Sequence, residues 1–365
     1  MRVVIAGGGT GGHLFPGLAV ARALKARVPA SQISFAGTDT GIEARVIPGT
    51  EFALDLIRSA GLKGKSLAAV IRGAALVPMA AVDAWRLISR RMPDVVIGVG
   101  GYSSGPVVAV AALRGISTMV LEQNAVPGLT NKLLARVVRR AAVTYEGSLK
   151  YFGAKAFVSG NPVRREFLEA DDQGGHTDAI DAVPVRVLVF GGSQGAHAIN
   201  VAMAEASPRL GAAPGTVDVV CQTGERDFDM VQSAFERHRV SGRVERFIDA
   251  MDREMKAAGL VVSRAGATTL AELTAAGRPA ILIPLPTATD DHQRHNARAL
   301  EDAGAAELMH QRDLTGERLA DRILDLAGNR ELRRRMATAA RQLAKPRAAE
   351  EIVDEVIKLT ESRRR

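Results

Sequence analysis

Apolar and polar positions along this chain mark strand, turn and helix one after another. Val3-Val4-Ile5-Ala6 is a short, mostly β-branched run that stops at Gly7-Gly8-Gly9-Thr10-Gly11-Gly12, and apolar residues resume at helical spacing over residues 14–26. A run that breaks at glycine and restarts with a 3.6-residue period predicts a strand, a tight turn and a helix. Residues 32–36 read as a second strand. Residues 95–99 read as another, entering Gly100-Gly101-Tyr102-Ser103-Ser104-Gly105-Pro106 and then a helix of small residues over 107–113. A buried strand over 117–121 leads into Glu122-Gln123-Asn124. Further strands are predicted at 186–190, 217–222, 247–249, 260–263 and 280–284. Residues 263–272 read as strand, glycine turn and helix start, with Thr268 and Thr269 as caps, residues 290–296 open a further helix, and the tail from Leu343 is helical. Strands that alternate with helices predict parallel sheets covered by helices on both faces.

The opening pattern occurs twice. Arg186-Val187-Leu188-Val189-Phe190-Gly191-Gly192-Ser193-Gln194-Gly195-Ala196-His197 lies on residues 2–13 without a gap and is identical at the arginine, one valine, three glycines and the histidine. Half-chains that open alike predict two similar α/β domains facing each other across a cleft. A length of 365 residues gives each a full core. The boundaries expected are 1–161 and 162–343, with the helix of about 344–365 packing back on the first domain. A segment over 169–184, with five acids and no Lys or Arg, reads as a surface connection.

Glycine turns at helix starts are anion sites: without Cβ, backbone N–H groups approach a phosphate, and the helix dipole favours negative charge. Gly7, Gly9 and Gly12 also satisfy a dinucleotide-binding spacing, with Asp39 near the end of the second strand as its ribose acid. That oxidoreductase reading is weakened by the second loop, where Ser193 and Ala196 break the pattern while keeping the turn.

Charge narrows the partners. The net charge is +8 at pH 7, and between Arg58 and Arg91 seven Lys or Arg face one acid, Asp83, interleaved with Leu67, Val70, Ile71, Met79 and Trp85. Basic residues around an apolar stripe fit a surface that lies on anionic lipid, or else a core helix with a solvated basic face. Nucleic acid is disfavoured because stacking aromatics are missing there. A single cysteine, Cys221, excludes an internal disulfide framework. No signal peptide and no spanning run of ~18 apolar residues is read, so a cytoplasmic protein is expected. Asp171-Asp172 lies in the acidic surface segment and Asp290-Asp291 adjoins a helix start, where capping is read rather than ligation, so no metal or cofactor is expected.

Taken in order, Gly8-Gly9-Thr10-Gly11-Gly12-His13-Leu14-Phe15-Pro16-Gly17, the loop at 100–106, Glu122-Gln123-Asn124 with Pro127-Gly128-Leu129-Thr130-Asn131-Lys132, Gly160-Asn161-Pro162-Val163-Arg164, Gly191-Gly192-Ser193-Gln194-Gly195-Ala196 and residues 263–272 resemble the MurG-type N-acetylglucosaminyltransferase family. The resemblance implies the two-domain glycosyltransferase-B fold, with UDP-N-acetylglucosamine mainly on the C-terminal domain and a lipid-linked muramyl-pentapeptide acceptor on the N-terminal one, at the cytoplasmic face of the membrane. By similarity, Ser193 and Arg164 face the donor diphosphate, Ile248 the uracil through its backbone and Glu272 the ribose. Ala267, Thr268 and Thr269 form a diphosphate-facing helix start, while His292, Gln293 and Asn124 contact the sugar; Thr10, Gly11, Gly12 and Tyr102 complete the substrate contacts. Leu121 and His197 depart from the family's usual histidine and arginine.

The implied chemistry is inverting transfer to the C4 hydroxyl of the muramyl sugar, which needs a base and positive potential for the leaving diphosphate. The candidate base is His13, at a helix start whose dipole disfavours a protonated ring. Glu122 is the next candidate.

Overall fold

The structure, a computed structural model, describes residues 1–59, 67–168, 179–192, 195–288 and 291–361, the side chains of 67–77 apart. The chain forms two compact units: Met1–Arg164 together with Lys345–Arg365, and Arg165–Ala344.

In the first unit the elements run β1 (Arg2–Gly7), α1 (Gly11–Arg27), β2 (Gln32–Gly37), α2 (Glu43–Val46), β3 (Ala53–Leu56), α3 (Leu67–Arg91), β4 (Val95–Gly100), α4 (Ser104–Leu113), β5 (Ser117–Glu122), α5 (Leu129–Leu134), β6 (Arg140–Val143) and β7 (Ala156–Val158). The strands pair in parallel in the order β3-β2-β1-β4-β5-β6-β7. Successive side chains of a strand point to opposite faces, and here each face is a separate core. Val3 and Ile5 pack with Leu14, Leu18 and Leu24 of α1, whereas Val4 and Ala6 pack with Leu87 and Ile88 of α3 and Val107 and Val108 of α4. Burial on both faces explains why these strands read as unbroken apolar runs.

The second unit holds α6 (Arg165–Leu168), β8 (Val185–Phe190), α7 (His197–Gly211), β9 (Val217–Gln222), α8 (Phe228–His238), β10 (Gly242–Glu245), α9 (Met251–Ala257), β11 (Leu260–Ser263), α10 (Ala267–Ala276), β12 (Ala280–Leu282), α11 (His292–Asp302), β13 (Ala306–Leu308), α12 (Gly316–Gly328) and α13 (Arg330–Leu343). Its sheet is parallel in the order β10-β9-β8-β11-β12-β13. Val187 and Val189 face α7 and α12, and Leu188 and Phe190 face α10 and α11. Cys221 lies in this core at 0% exposure, and burial pushes its thiol up to about 12. A last helix, α14 (Ala348–Glu361), belongs to the first unit, where Ile352, Val353, Val356 and Leu359 join the core of α1 and Ser117 Oγ donates to the Leu359 carbonyl at 3.2 Å.

The repeat is thus structural. In each sheet the strand order reverses between the strand carrying the repeated motif and the one beside it, β1 with β4 and β8 with β11. All four of these strands end in the glycine-bearing loops singled out in the sequence. Parallel sheets bind ligands outside the carboxyl ends of their strands at such a reversal.

Two local expectations are corrected, and a third gains detail. Residues 247–249 are loop, and the edge strand is β10 instead, because Ile248 is buried by contacts of the loop and its amide serves a side chain rather than a ladder. The N-cap of α10 is Gly266, without a side-chain cap, so Thr268 and Thr269 sit inside the first turn. The basic stretch is partly neutralised: Arg58 pairs with Asp83 at 2.6 Å, and Arg90 and Arg91 pair with Asp55 of β3 at 2.5 and 2.8 Å. Of that stretch, Lys63 and Lys65 lie outside the described residues, as do residues 169–178 of the acidic segment. Among the described residues no helix is long and apolar enough to cross a membrane.

Candidate active site

At the end of β1 the chain turns through Gly7, Gly8 and Gly9, all at positive φ, before Thr10 caps α1 in extended conformation. Here glycine is required by close approach. A Cβ on Gly7 would lie 2.4 Å from the Gly100 carbonyl oxygen, and one on Gly101 2.5 Å from that of Gly8. The loops after β1 and β4 therefore interlock. His13, in the first turn of α1, lies over the second of them, where a Cβ on Gly100 would come 2.6 Å from its Cδ2. Its Nδ1 is 3.2 Å from Thr10 Oγ1. Gly11 and Gly12 open the helix, and Tyr102 is half exposed beside this cluster, its carbonyl accepting from Ser59 Oγ at 2.9 Å.

The reading of this turn as an open anion cradle is corrected in one respect. The Gly9 N–H donates at 2.7 Å to Glu43 Oε2, a carboxylate with 0% exposure that sequence reasoning passed over. Asp39, the ribose acid of the dinucleotide reading, is not the group under the loop.

Glu122, at the end of β5, is 2% exposed. Its Oε1 accepts from the Asn124 amide and side chain at 2.9 and 3.3 Å, and its Oε2 from Gly128 N and Asn131 Nδ2 at 3.1 and 2.9 Å. Burial pushes its carboxyl up, opposed by these hydrogen bonds. With both oxygens hydrogen-bonded to the loop, Glu122 organises Asn124 and the start of α5. Arg164 belongs to this unit too, its guanidinium 5.2 Å from the centroid of the Phe15 ring.

The second unit builds its own cluster. Ser193 lies outside the described residues, but its flanks are fixed: a Cβ on Gly195 would fall 2.0 Å from the Thr223 carbonyl oxygen. Gln222, at the end of β9 and 2% exposed, donates through Nε2 to Gly192 O at 2.9 Å and accepts through Oε1 from Ile248 N at 2.9 Å. The sequence marked Ile248 but not the side chain that holds it. His197 opens α7 with Nδ1 2.9 Å from Asp227 Oδ1, whose other oxygen accepts from Asn200 Nδ2 at 2.9 Å. Burial raises the Asp227 carboxyl and the hydrogen bonds from Asn200 and His197 outweigh it, so it titrates below the usual carboxylate range.

Across the reversal, Ala267, Thr268 and Thr269 form the first turn of α10, and Glu272 follows one turn on at 6% exposure. Arg264 reaches the loop after β12, donating to Ile283 O at 3.0 Å, Pro284 O at 3.2 Å and Gln311 Oε1 at 2.7 Å. Burial lowers its guanidinium pKa. Gln293 Oε1 accepts from Leu285 N at 3.0 Å, and His292 starts α11 beside it. The carboxyl edge of this sheet thus gathers the second glycine loop, Ile248, the start of α10 and the start of α11.

Family models match both halves: the glycosyltransferase family 28 N-terminal domain over residues 3–143 and the glycosyltransferase family 28 C-terminal domain over residues 186–352. A relative in Anaeromyxobacter sp. (strain K), named UDP-N-acetylglucosamine–N-acetylmuramyl-(pentapeptide) pyrophosphoryl-undecaprenol N-acetylglucosamine transferase, is 46% identical over 364 residues, covering 100% of this chain and 94% of its own. One of the same name in Pelobacter propionicus is 45% identical, covering 98% and 99%. Among solved structures, MurG of Acinetobacter baumannii superposes with a TM-score of 0.78 at 33% identity, over 98% of this chain and 99% of that one. A UDP-GlcNAc 2-epimerase from Neisseria meningitidis, at 15% identity and a TM-score of 0.69, shares the fold alone. The two parallel-sheet domains are those of the glycosyltransferase-B fold, and the chain belongs to the MurG family of N-acetylglucosaminyltransferases within glycosyltransferase family 28.

Proposed function

We propose that this protein transfers N-acetylglucosamine from UDP-N-acetylglucosamine, with inversion, to the C4 hydroxyl of the muramyl sugar of a pyrophosphoryl-undecaprenol-linked pentapeptide in peptidoglycan synthesis. The observation that carries this is full-length identity of 43–46% to relatives named for that transfer.

The second unit takes the donor. The Ile248 amide is committed to Gln222, which leaves its carbonyl to accept from uracil N3–H. The Glu272 carboxylate accepts from the ribose hydroxyls, as a charged acceptor does most strongly. The diphosphate lies at the start of α10, where the N–H groups of Ala267, Thr268 and Thr269 and the helix dipole offset its charge, with Ser193 as a further donor. His292 and Gln293 contact the sugar.

The first unit takes the acceptor at Thr10, Gly11, Gly12 and Tyr102. In the Nδ1–H tautomer, which suits the 3.2 Å contact with Thr10 Oγ1, Nε2 of His13 removes the C4 hydroxyl proton as that oxygen attacks the anomeric carbon and UDP departs. Met79, Val82 and Trp85, exposed at 39%, 47% and 54% on α3 with Arg86 beside them, support peripheral attachment to an anionic membrane surface, which we assign to the cytoplasmic face. Incubation with radiolabelled UDP-N-acetylglucosamine and a short-chain lipid-linked muramyl-pentapeptide tests the reading. Label should enter the lipid fraction with stoichiometric release of UDP, and absence of transfer to that acceptor overturns it.

A further inference from the structure

Glu43 has the surroundings of a group placed for a purpose. It lies on the first turn of α2 with no exposed surface, and its two oxygens divide their work between two loops. Oε2 accepts from Gly9 N at 2.7 Å, in the turn after β1. Oε1 accepts from Thr38 N at 2.8 Å and Thr38 Oγ1 at 3.0 Å, in the turn after β2. Three glycines make room for it: a Cβ on Gly8, Gly37 or Gly41 would come 2.3, 2.4 or 2.2 Å from its side chain. A buried carboxylate is costly unless each oxygen is hydrogen-bonded, and here backbone donors meet both.

Gly9 is followed directly by Thr10 and is four residues from His13, whose ring is bounded by Thr10 on one side and Gly100 on the other. Gly8 and Gly9 have φ of 153° and 80°, conformations in which an untethered glycine has many alternatives. We propose that Glu43 is the positioning residue of the first glycine loop: its carboxylate pins Gly9, and through Gly9 the Thr10–His13 pair, in the geometry that proton removal from the acceptor requires. The proposal rests on the reading of His13 as the base. It also assigns a chemical requirement, since the site needs an acceptor at both oxygens facing N–H groups. An amide offers one acceptor and sets its NH₂ against the other N–H.

A double-mutant cycle tests it, with turnover, KM for UDP-N-acetylglucosamine and the melting temperature measured on the full chain. Glu43→Gln should lower kcat by about 10- to 100-fold, as a displaced base does, with KM for the donor within about twofold because neither Glu43, Gly9 nor His13 is among the residues given to the donor. Glu43→Asp, which keeps two acceptor oxygens, should recover part of the loss. In a His13→Ala background Glu43→Gln should cost less than about threefold, because the group it positions is gone. An equal loss in both backgrounds overturns the positioning role and leaves Glu43 a fold residue. Near-normal turnover of His13→Ala alone instead overturns the base reading on which the proposal stands. Should Glu43→Gln not fold, Thr38→Val, which removes one hydroxyl donor to the same carboxylate, takes its place in the cycle, with a smaller loss that must likewise vanish when His13 is absent.

Discussion

Gln222 joins Gly192 to Ile248, one side chain donating to the carbonyl of the first at 2.9 Å and accepting from the amide of the second at 2.9 Å. The spacing between the second glycine loop and the loop expected to meet uracil is therefore set by a single buried amide. Gln222→Leu should weaken UDP binding about tenfold, the effect of one to two net hydrogen bonds. Gln222→Glu keeps the acceptor but sets a second carboxyl oxygen against Gly192 O in a buried site, so it should weaken binding at least as much. Isothermal titration of UDP measures both, and an unaltered affinity for the leucine variant would show that the loops hold their places independently.

His13→Ala should reduce turnover by ~10² to 10⁴ with UDP affinity and melting temperature nearly unchanged. His197→Ala should do much less, because the Nδ1 of His197 is tied to Asp227 in the unit proposed to take the donor. Comparable losses from the two substitutions would remove the asymmetry on which the assignment of the base depends.

Glu122 predicts a pH dependence of stability. Burial raises its carboxyl above the ordinary value of 4.5, so the folded protein binds that proton more tightly than the unfolded chain does. Its contribution is then fully present below the unfolded value and is lost as pH rises through the folded one. Urea denaturation from pH 4 to 7 should show a downward slope in wild type that is shallower in Glu122→Gln. Parallel curves would mean that the four hydrogen bonds hold the carboxylate ionised at no cost.

The outer face of α3 predicts membrane attachment. Trp85 is 54% exposed, and the Arg114 guanidinium stacks 4.6 Å from its ring centroid, which keeps a cation at the apolar surface. Trp85→Ala should weaken co-sedimentation with anionic vesicles by about tenfold through lost apolar contact. Arg86→Ser should weaken it by about fivefold at low salt and less at high salt. Binding that survives both changes would leave this a solvated helix face.

What could be read from the sequence followed from burial. β1, β4, β5 and β8 are covered on both faces and announce themselves as apolar runs ending in glycine or polar residues. β3, β7 and β10 are edge strands with one buried residue or none among them apiece, so no run marks them. Phe247-Ile248-Asp249 reads as a strand in the sequence, yet it is loop, because an amide side chain takes the place of a neighbouring strand. Glu43 was invisible for a different reason: its meaning arises only when the turn after β1, with Gly8 and Gly9, is folded onto the segment that carries Gly37, Gly41 and the carboxylate. Asp55 likewise meets Arg90 and Arg91 only after β3 is laid beside β2.

The return of α14 to the first unit has a consequence for how the protein is made. Ile352, Val353, Val356 and Leu359 complete a core whose other buried residues fall between Val3 and Ala142. The second unit, by contrast, is one contiguous stretch. On the ribosome the usual order, in which the first domain to emerge is the first to finish, is therefore inverted. The half that carries the second glycine loop can close while translation continues. The half that carries His13 waits, with the face of α1 that α14 will cover still bare, until the last turns of helix have left the ribosome.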